Sequence, residues 1–171
     1  MYPVALSLLL LAEALAGAQA VPRGAPAPRA AAVLEPTGRS DGIRGTVYAT
    51  RYAEGTRVRA VLRGFGRDGL FGFQVLDAAS CADAPRAPVL GDAAHPHGSP
   101  YDPPALRRAG SLGNVHARRG VARYDRLDPL LDLGDALGRI VVVRARQDDG
   151  ITPPDGAAGP VVACGVLRPA P

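Results

Sequence analysis

Histidine and cysteine are the residue types best suited to metal or redox chemistry, and this chain has few of either. The 171-residue sequence contains three histidines and two cysteines. His95 and His97 flank a proline, and in an extended backbone their rings lie on the same side. With Asp102 close by in sequence, they form a candidate three-ligand zinc site of low affinity. The alternative is that both histidines are solvated loop residues that bind nothing.

Other patterns of catalytic residues find little support in the sequence. Ser99 and Ser111 have no convincing histidine and acid partners, and no G-x-S-x-G motif occurs, so hydrolase chemistry is not indicated. The glycine-containing segment at 64–66 (GFG) is too short to cradle a phosphate. We interpret the third histidine, His116, as a surface residue.

The first 20 residues have the features of a secretory signal peptide. Residues 4–12 (VALSLLLLA) are an apolar run too short to span a bilayer, and residues 18–20 (AQA) match the small-x-small cleavage pattern. A buried or membrane-lying helix is the alternative. No later stretch is apolar and long enough to be a membrane span. We therefore expect a secreted, extracellular product without a membrane span.

In a secreted chain, Cys81 and Cys164 are expected to form a disulfide bond. The bond closes a loop of about 84 residues, for which chain entropy alone predicts roughly 4–5 kcal/mol of stabilisation. A metal-binding thiolate pair and a reactive thiol are the alternatives. Neither is supported, because the C-x-x-C spacing and a neighbouring histidine are both missing.

The positive charge of the chain is carried entirely by arginine, and the formal net charge is +4. The arginines are scattered through strand-like and loop-like segments, without interleaved aromatic residues that could stack nucleic-acid bases. We therefore expect a weak attraction to polyanions and no specific nucleic-acid site.

The pattern of apolar residues predicts an all-β protein. Short strands are expected at residues 43–49, 57–63, 71–76, 120–125, 130–133, 138–143 and 161–167. A long loop rich in proline and glycine separates the third strand from the fourth. Since no amphipathic helical period of useful length occurs, the combination favours an antiparallel sandwich or barrel.

The chain divides into four segments. Residues 1–20 are the predicted signal peptide, and residues 21–41 are expected to be a flexible segment rich in proline, alanine and arginine. Residues 42–167 form the predicted β-domain, and residues 168–171 are a short tail.

Five stretches resemble, in the same order, segments of the copper/zinc superoxide dismutases. They are residues 69–76 (GLFGFQVL), 92–100 (DAAHPHGSP), 108–115 (RAGSLGNV), 142–150 (VVRARQDDG) and 159–166 (GPVVACGV). Cys81 and Cys164 stand where that family has its disulfide. The resemblance implies a Greek-key β-sandwich or barrel of about eight antiparallel strands with long loops.

In that family, a copper ion held by imidazoles disproportionates superoxide, and one imidazole is shared with a zinc ion. The resemblance places the three unshared copper positions at Gln74, Leu76 and Arg144, and the substrate-guiding arginine at Val161. Leucine offers no donor, an amide is a poor copper ligand and a guanidinium repels a cation. Copper binding is therefore not expected.

The zinc half of the centre is less completely altered. The resemblance retains the histidines of residues 95–97 but replaces a ligand histidine with Arg108 and a ligand aspartate with Ser111. The two-metal centre also requires more histidines than the three in this chain. Asp148 and Asp149 match residues that orient other groups in the family, and we expect them to make loop hydrogen bonds here.

Three functional hypotheses follow. The first is a secreted, disulfide-bonded and catalytically inactive relative that acts as a structural or binding protein, with another protein or a second copy as its partner. The second is a homologue that retains zinc through His95, His97 and Asp102. The third, ranked last because residues 167–171 carry a single charge, is a polyanion-binding module. The shortened disulfide loop argues against the dimer typical of the family.

Overall fold

The structure is a computed structural model that describes residues 28–38 and 42–171. The predicted signal peptide lies outside these residues. The elements are strands β1 (Arg29–Pro36), β2 (Arg44–Tyr52), β3 (Gly55–Arg63), β4 (Gly69–Leu76), β5 (Ser111–Arg118), β6 (Val121–Asp128), β7 (Ile140–Arg144), β8 (Val161–Val166) and β9 (Arg168–Ala170), with helix α1 (Leu133–Ala136). Among the described residues, no helix has the length and apolarity needed to cross a membrane.

Eight of the strands close into an antiparallel barrel. Their order is β2-β3-β6-β5-β4-β7-β8-β1, and β1 pairs with β2 to complete the ring. The ninth strand, β9, pairs with the beginning of β1. Because β7 lies beside β4 rather than beside β6, the strand order is that of a Greek key. The predicted all-β Greek-key class is confirmed.

Strand β3 shows how the sequence forms the barrel wall. Its residues alternate between solvent and core along the whole strand, as the two-residue period of a strand requires. The turn between β5 and β6 also has a simple local explanation. It consists of Arg119 and Gly120, both with positive φ (48° and 76°), which is the conformation that two-residue hairpin turns favour.

The N-terminal part of the barrel corrects the sequence-based division of the chain. Residues 21–41 were expected to be flexible, but Arg29–Pro36 form β1, with Ala30 and Leu34 fully buried. The prediction is therefore wrong for this stretch, while residues 21–27 and 39–41 lie outside the described residues. The predicted tail at 168–171 also contains a strand, because Arg168–Ala170 pair with β1.

The strand predicted at residues 130–133 is likewise not formed. Asp132 instead caps the short helix α1, and its Oδ1 accepts hydrogen bonds from the backbone N–H groups of Gly134 and Asp135. Aspartate is among the residues that best satisfy these donors at the start of a helix. The neighbouring Leu131 and Leu133 are buried, so the apolar pattern reflects a packed turn.

The long loop between β4 and β5, residues 77–110, is held to the barrel by the predicted disulfide. Cys81 and Cys164 are bonded, with 5.9 Å between their Cα atoms, which confirms the pairing. A second apolar cluster, separate from the barrel interior, surrounds the attachment. Its buried members are Leu76, Ala84, Val89, Ile140, Val142, Val161 and Cys164.

A buried ion pair fixes the far end of the same loop. The Nη2 of Arg107 donates to Oδ1 of Asp128 at 2.7 Å, and the two side chains are 2% and 0% exposed. Asp128 also accepts hydrogen bonds from the backbone N–H groups of Leu130 and Leu131. One carboxylate thus joins the loop, the end of β6 and the turn that leads to α1.

Replacing Arg107 with methionine is expected to lower the free energy of unfolding by about 2–3 kcal/mol, because it removes the closer cation from a buried carboxylate and leaves only the Nε of Arg126, 3.8 Å away. The loss of stability is smaller than for a buried ion pair whose polar atoms are all hydrogen-bonded. Nε and Nη1 of Arg107 have no partner among the described residues, so replacing Arg107 also removes the cost of burying them. Urea unfolding followed by circular dichroism measures the change. Arg51→Met is the control, because the Arg51–Asp132 pair is half-exposed and contributes at most ~1 kcal/mol. Equal losses in the two variants would contradict the anchoring role.

Candidate functional site

The candidate site lies on the outer wall of the barrel, beneath two loops. Gln74 in β4 and Arg144 at the end of β7 are both buried there. The alternation of β4 places Phe73 and Val75 in the main core and leaves Gln74 on the opposite face. The covering loops are residues 77–110 and residues 145–160.

Arg144 begins a chain of hydrogen bonds through the site. Its Nε donates to Oε1 of Gln74 at 2.9 Å, and its Nη1 donates to the carbonyl of Gly159 at 3.0 Å. The same Nη1 forms an ion pair with Oδ2 of Asp155 at 2.8 Å. Burial lowers the pKa of Arg144, while the charges of Asp155 and Asp148 act in the opposite direction. The guanidinium is therefore a buried cation held by nearby carboxylates.

Gln74 passes the chain on to Asp148. Its Nε2 donates to Oδ2 of Asp148 at 2.8 Å and to the carbonyl of Asp155 at 3.0 Å. Since its Oε1 accepts from Arg144, both ends of the amide are engaged. Gln74 is fully buried, so these partners take the place of water.

Asp148 is the residue on which the network converges. The Nε2 of His97 lies 2.8 Å from each of its carboxylate oxygens, and the backbone N–H of Gly150 donates to Oδ1 at 2.8 Å. The backbone of Asp148 is also fixed, because its N–H and carbonyl both bond to the side-chain amide of Asn114. We expected only loop hydrogen bonds from Asp148, and that expectation is wrong.

The neighbouring Asp149 does behave as a loop residue. Its carboxylate accepts hydrogen bonds from the hydroxyl and backbone N–H of Thr152 and from the N–H of Ile151. These bonds, led by that of the Thr152 hydroxyl, lower the pKa of Asp149 to about 2. Two adjacent aspartates therefore have different roles, and the sequence alone gives no signal that separates them.

His97 occupies the other end of the network. It is 2% exposed, so the interpretation of both histidines as solvated loop residues is wrong for His97. Its Nδ1 lies 3.4 Å from Oγ of Ser111, whose hydroxyl donates to the backbone carbonyl of His97 at 2.7 Å. His95 is only partly buried, and its carbonyl accepts a hydrogen bond from Nε of Arg108 at 3.2 Å.

The three residues of the candidate zinc site are not brought together. Asp102 accepts a hydrogen bond from the backbone N–H of Ser99 at 2.7 Å, while His97 is engaged by Asp148. In residues 28–38 and 42–171, no group of three or more histidine, cysteine, aspartate or glutamate side chains is arranged to hold a metal ion. The remaining histidine, His116, is exposed, as expected of a surface residue.

Gly156 allows the covering loop to close onto the network. A Cβ at this position would lie 1.9 Å from Oδ1 of Asp148 and 2.8 Å from Nε2 of His97. The residue also has a φ of +70°, which side chains other than glycine's rarely adopt. Only glycine therefore fits at the point where residues 145–160 cover the carboxylate.

Two comparisons with known proteins agree with this architecture. The sequence matches the family model for "Copper/zinc superoxide dismutase (SODC)" over residues 43–167. A solved structure described as the "Crystal Structure Analysis of the clock protein EA4" superposes with a TM-score of 0.70 at 29% identity, over 86% of this chain and 99% of that chain. The chain belongs to the copper/zinc superoxide dismutase family. The family resemblance identified from the five sequence stretches is thus confirmed.

The sequence resemblance to the copper/zinc superoxide dismutase family matches residues of this network to positions of the metal centre. Gln74 and Arg144 are matched to two copper positions; Arg144 donates a hydrogen bond to Gln74, which in turn donates one to Asp148. Leu76, matched to the third copper position, is fully buried in the second apolar cluster. Val161, matched to the substrate-guiding arginine, belongs to the same cluster and is 9% exposed. A hydrocarbon, an engaged amide and a cation do not fit the donor set that copper requires.

The zinc half of the superoxide dismutase centre has also lost its donors. The guanidinium of Arg108 donates to the carbonyls of His95 and Ala93, and Ser111 offers a hydroxyl next to His97. Zinc is usually held by four ligands drawn from thiolates, imidazoles and carboxylates. Of the matched positions, His97 alone presents an imidazole inside the site, and Asp148 holds it through Nε2.

Proposed function

We propose that this member of the copper/zinc superoxide dismutase family binds no copper, does not disproportionate superoxide, and acts as a secreted binding protein. The observation that carries the proposal is the continuous buried network Arg144–Gln74–Asp148–His97, which includes residues that the resemblance matches to metal ligands.

Disproportionation of superoxide requires a centre that accepts and returns one electron. In the family this is copper, and imidazole nitrogen suits it because it tolerates both oxidation states. Here a copper ion would have to displace the Arg144 guanidinium from Gln74 and Asp155 and remain beside Leu76. Charge repulsion and the lack of a third donor both oppose this.

Retention of zinc has less support than complete loss of metal. The candidate ligands have separate environments. His97 is bonded to Asp148, Asp102 accepts a hydrogen bond from the N–H of Ser99, and His95 is only partly buried. The network is also satisfied without a metal, since Gln74, Asp148 and His97 all have hydrogen-bond partners. We therefore include zinc in the proposed loss.

Secretion is supported by two features. The first 20 residues carry the signal-like pattern, and the Cys81–Cys164 disulfide is of the kind that persists in oxidising compartments. The Cys81–Cys164 bond is also expected to stabilise the closed barrel without a metal ion. Such a scaffold is suited to presenting a surface for binding.

Elemental analysis combined with a superoxide disproportionation assay tests the proposal. The oxidised protein is refolded in the presence of copper and zinc salts and then dialysed, with an active copper/zinc superoxide dismutase treated in parallel. We expect no disproportionation above the buffer rate and no stoichiometric copper or zinc. Stoichiometric copper with activity abolished by chelation would refute the loss of catalysis. Zinc that is lost in His97→Ala would instead support the zinc-binding alternative.

A further inference from the structure

The outer surface of β1, β2, β3 and β6 carries a concentration of positive charge that the metal centre does not use. A groove of about 720 Å³ runs over these strands and is lined by five arginines. All five side chains are exposed. We call this set the arginine face; its members are Arg29, Arg44, Arg59, Arg63 and Arg123.

The arginine face carries more positive than negative charge. Arg44 and Arg63 stand directly opposite each other on β2 and β3, and like charges in that position are destabilising. The groove contains one carboxylate, that of Asp125. It is held by Arg57 through two hydrogen bonds of 2.7 and 2.8 Å, which also lower the pKa of Asp125. Asp125 also stands opposite Arg59 in the pairing of β3 with β6, and the charge of Arg59 contributes to the lowered pKa of Asp125. One carboxylate is thus shared by Arg57 and Arg59, and the groove keeps an excess of positive charge.

Six arginines outside the arginine face form ion pairs with acids in the described residues. The ion pairs are Arg51–Asp132, Arg57–Asp125, Arg107–Asp128, Arg126–Asp128, Arg139–Asp77 and Arg144–Asp155. Over the described part of the chain, none of these pairs includes a member of the arginine face. The arginine face therefore gathers five exposed guanidinium groups on one wall of the barrel, and none of them is in an ion pair with a described residue.

We propose that the arginine face binds a sulfated polysaccharide. This names the partner of the binding role proposed above and rests on it. Guanidinium groups bind sulfate oxygens through paired hydrogen bonds, and a linear chain with repeated sulfates matches charges spread over four adjacent strands. Sheet geometry supplies the spacing, with neighbouring strands about 4.8 Å apart and same-side residues about 6.6 Å apart along a strand.

The aromatic residues of the groove argue against single-stranded nucleic acid as the partner. Such partners are bound by stacking their bases on free aromatic rings. The ring of Tyr48 is covered by the guanidinium of Arg29, at 5.9 Å from its centroid. Tyr124 packs edge-on against Phe73 and donates its hydroxyl hydrogen to the carbonyl of Leu112. Tyr124 is therefore not available as a stacking platform, and a guanidinium already lies over one face of the Tyr48 ring.

Binding to heparin, used as the sulfated probe, tests the proposal. The full oxidised protein is compared with the double variant Arg63→Gln/Arg123→Gln over a range of salt concentrations. The matched control is Arg86→Gln/Arg146→Gln, which removes the same net charge from exposed positions in the two loops of the opposite wall. We expect the first variant to bind heparin roughly tenfold more weakly at physiological salt, and the control to bind within about twofold of the unmodified protein.

The variant at the arginine face is expected to fold normally. Removing Arg63 relieves its repulsion with Arg44, so the midpoint of thermal unfolding should stay constant or rise. Equal weakening by the two double variants would overturn the proposal, since net charge rather than the face would then govern binding. Tighter binding of a single-stranded oligonucleotide than of heparin, or equal binding of desulfated heparin, would also overturn it.

The dismutase assay separates this proposal from the preceding one. A protein that disproportionates superoxide and still binds heparin through the arginine face would refute the loss of catalysis alone. A protein that lacks activity and does not bind heparin would refute the polysaccharide partner alone.

Discussion

Replacing Asp148 with alanine is expected to lower the free energy of unfolding by about 3–5 kcal/mol. The carboxylate accepts hydrogen bonds from the Nε2 groups of Gln74 and His97 and from the N–H of Gly150. In the variant, the His97 and Gly150 donors lose these bonds in a site closed to water, and Gln74 keeps only the carbonyl of Asp155. Each buried donor without a partner costs about 1–3 kcal/mol. Urea unfolding of the oxidised protein, followed by far-ultraviolet circular dichroism, gives the difference.

The adjacent aspartate provides the matched control for this experiment. Asp149→Ala removes an identical side chain from a neighbouring position, but Asp149 is exposed and its bonds stay within its own loop. We expect this control to change stability little. The stability of Asp148→Asn should lie between those of the two alanine variants. Asparagine keeps the shape of the side chain, but its NH2 group would face another hydrogen-bond donor. If the two alanine variants were equally stable, the network would not be what holds the covering loop.

Removing the disulfide is the second change with a large expected effect. The bond joins residues 83 apart in sequence, and constraining a loop of that length in the unfolded chain contributes roughly 4–5 kcal/mol. The double variant Cys81→Ala/Cys164→Ala should lose about that much stability. Because Cys164 belongs to the second apolar cluster, the start of the loop at residues 77–110 should also become accessible. Urea unfolding measures the loss, and hydrogen exchange locates it.

Reductant supplies the control for the disulfide prediction. Treating the unmodified protein with reductant should lower its stability by a similar amount, whereas the double variant should not respond. A reduced protein as stable as the oxidised one would show that the barrel and its apolar contacts are sufficient without the bond.

The sequence predicted most of the barrel, and its errors have identifiable causes. Alternation identified β3 because arginines alternate there with valine, alanine and leucine. The same alternation exists in β1, but its inward residues Ala30 and Ala32 are small and are poor strand formers by composition. Their burial depends on the pairing of β1 with β2, which closes the ring. No simple sequence pattern indicates that pairing.

The candidate site was predicted as a set of altered positions but not as a network. Gln74, Leu76 and Arg144 could be located because the motifs around them are retained. The contacts that these residues make depend on the packing of the loops. That packing brings Arg144, Asp148 and Asp155 to Gln74, from which they are 70, 74 and 81 residues away in sequence. Arg107 illustrates the same limit. Adjacent Arg107 and Arg108 are chemically identical, and only the fold decides that one is enclosed and the other reaches the surface.

The strand that closes the ring also determines where the folding unit begins. The family match starts at residue 43, beyond β1. A shortened chain starting there would leave β2 and β8 with uncovered rows of amide and carbonyl groups, which readily recruit strands from other molecules. Such a product would tend to self-associate through its open seam. Residues 29–36 are therefore an integral part of the folded barrel, although the family match excludes them.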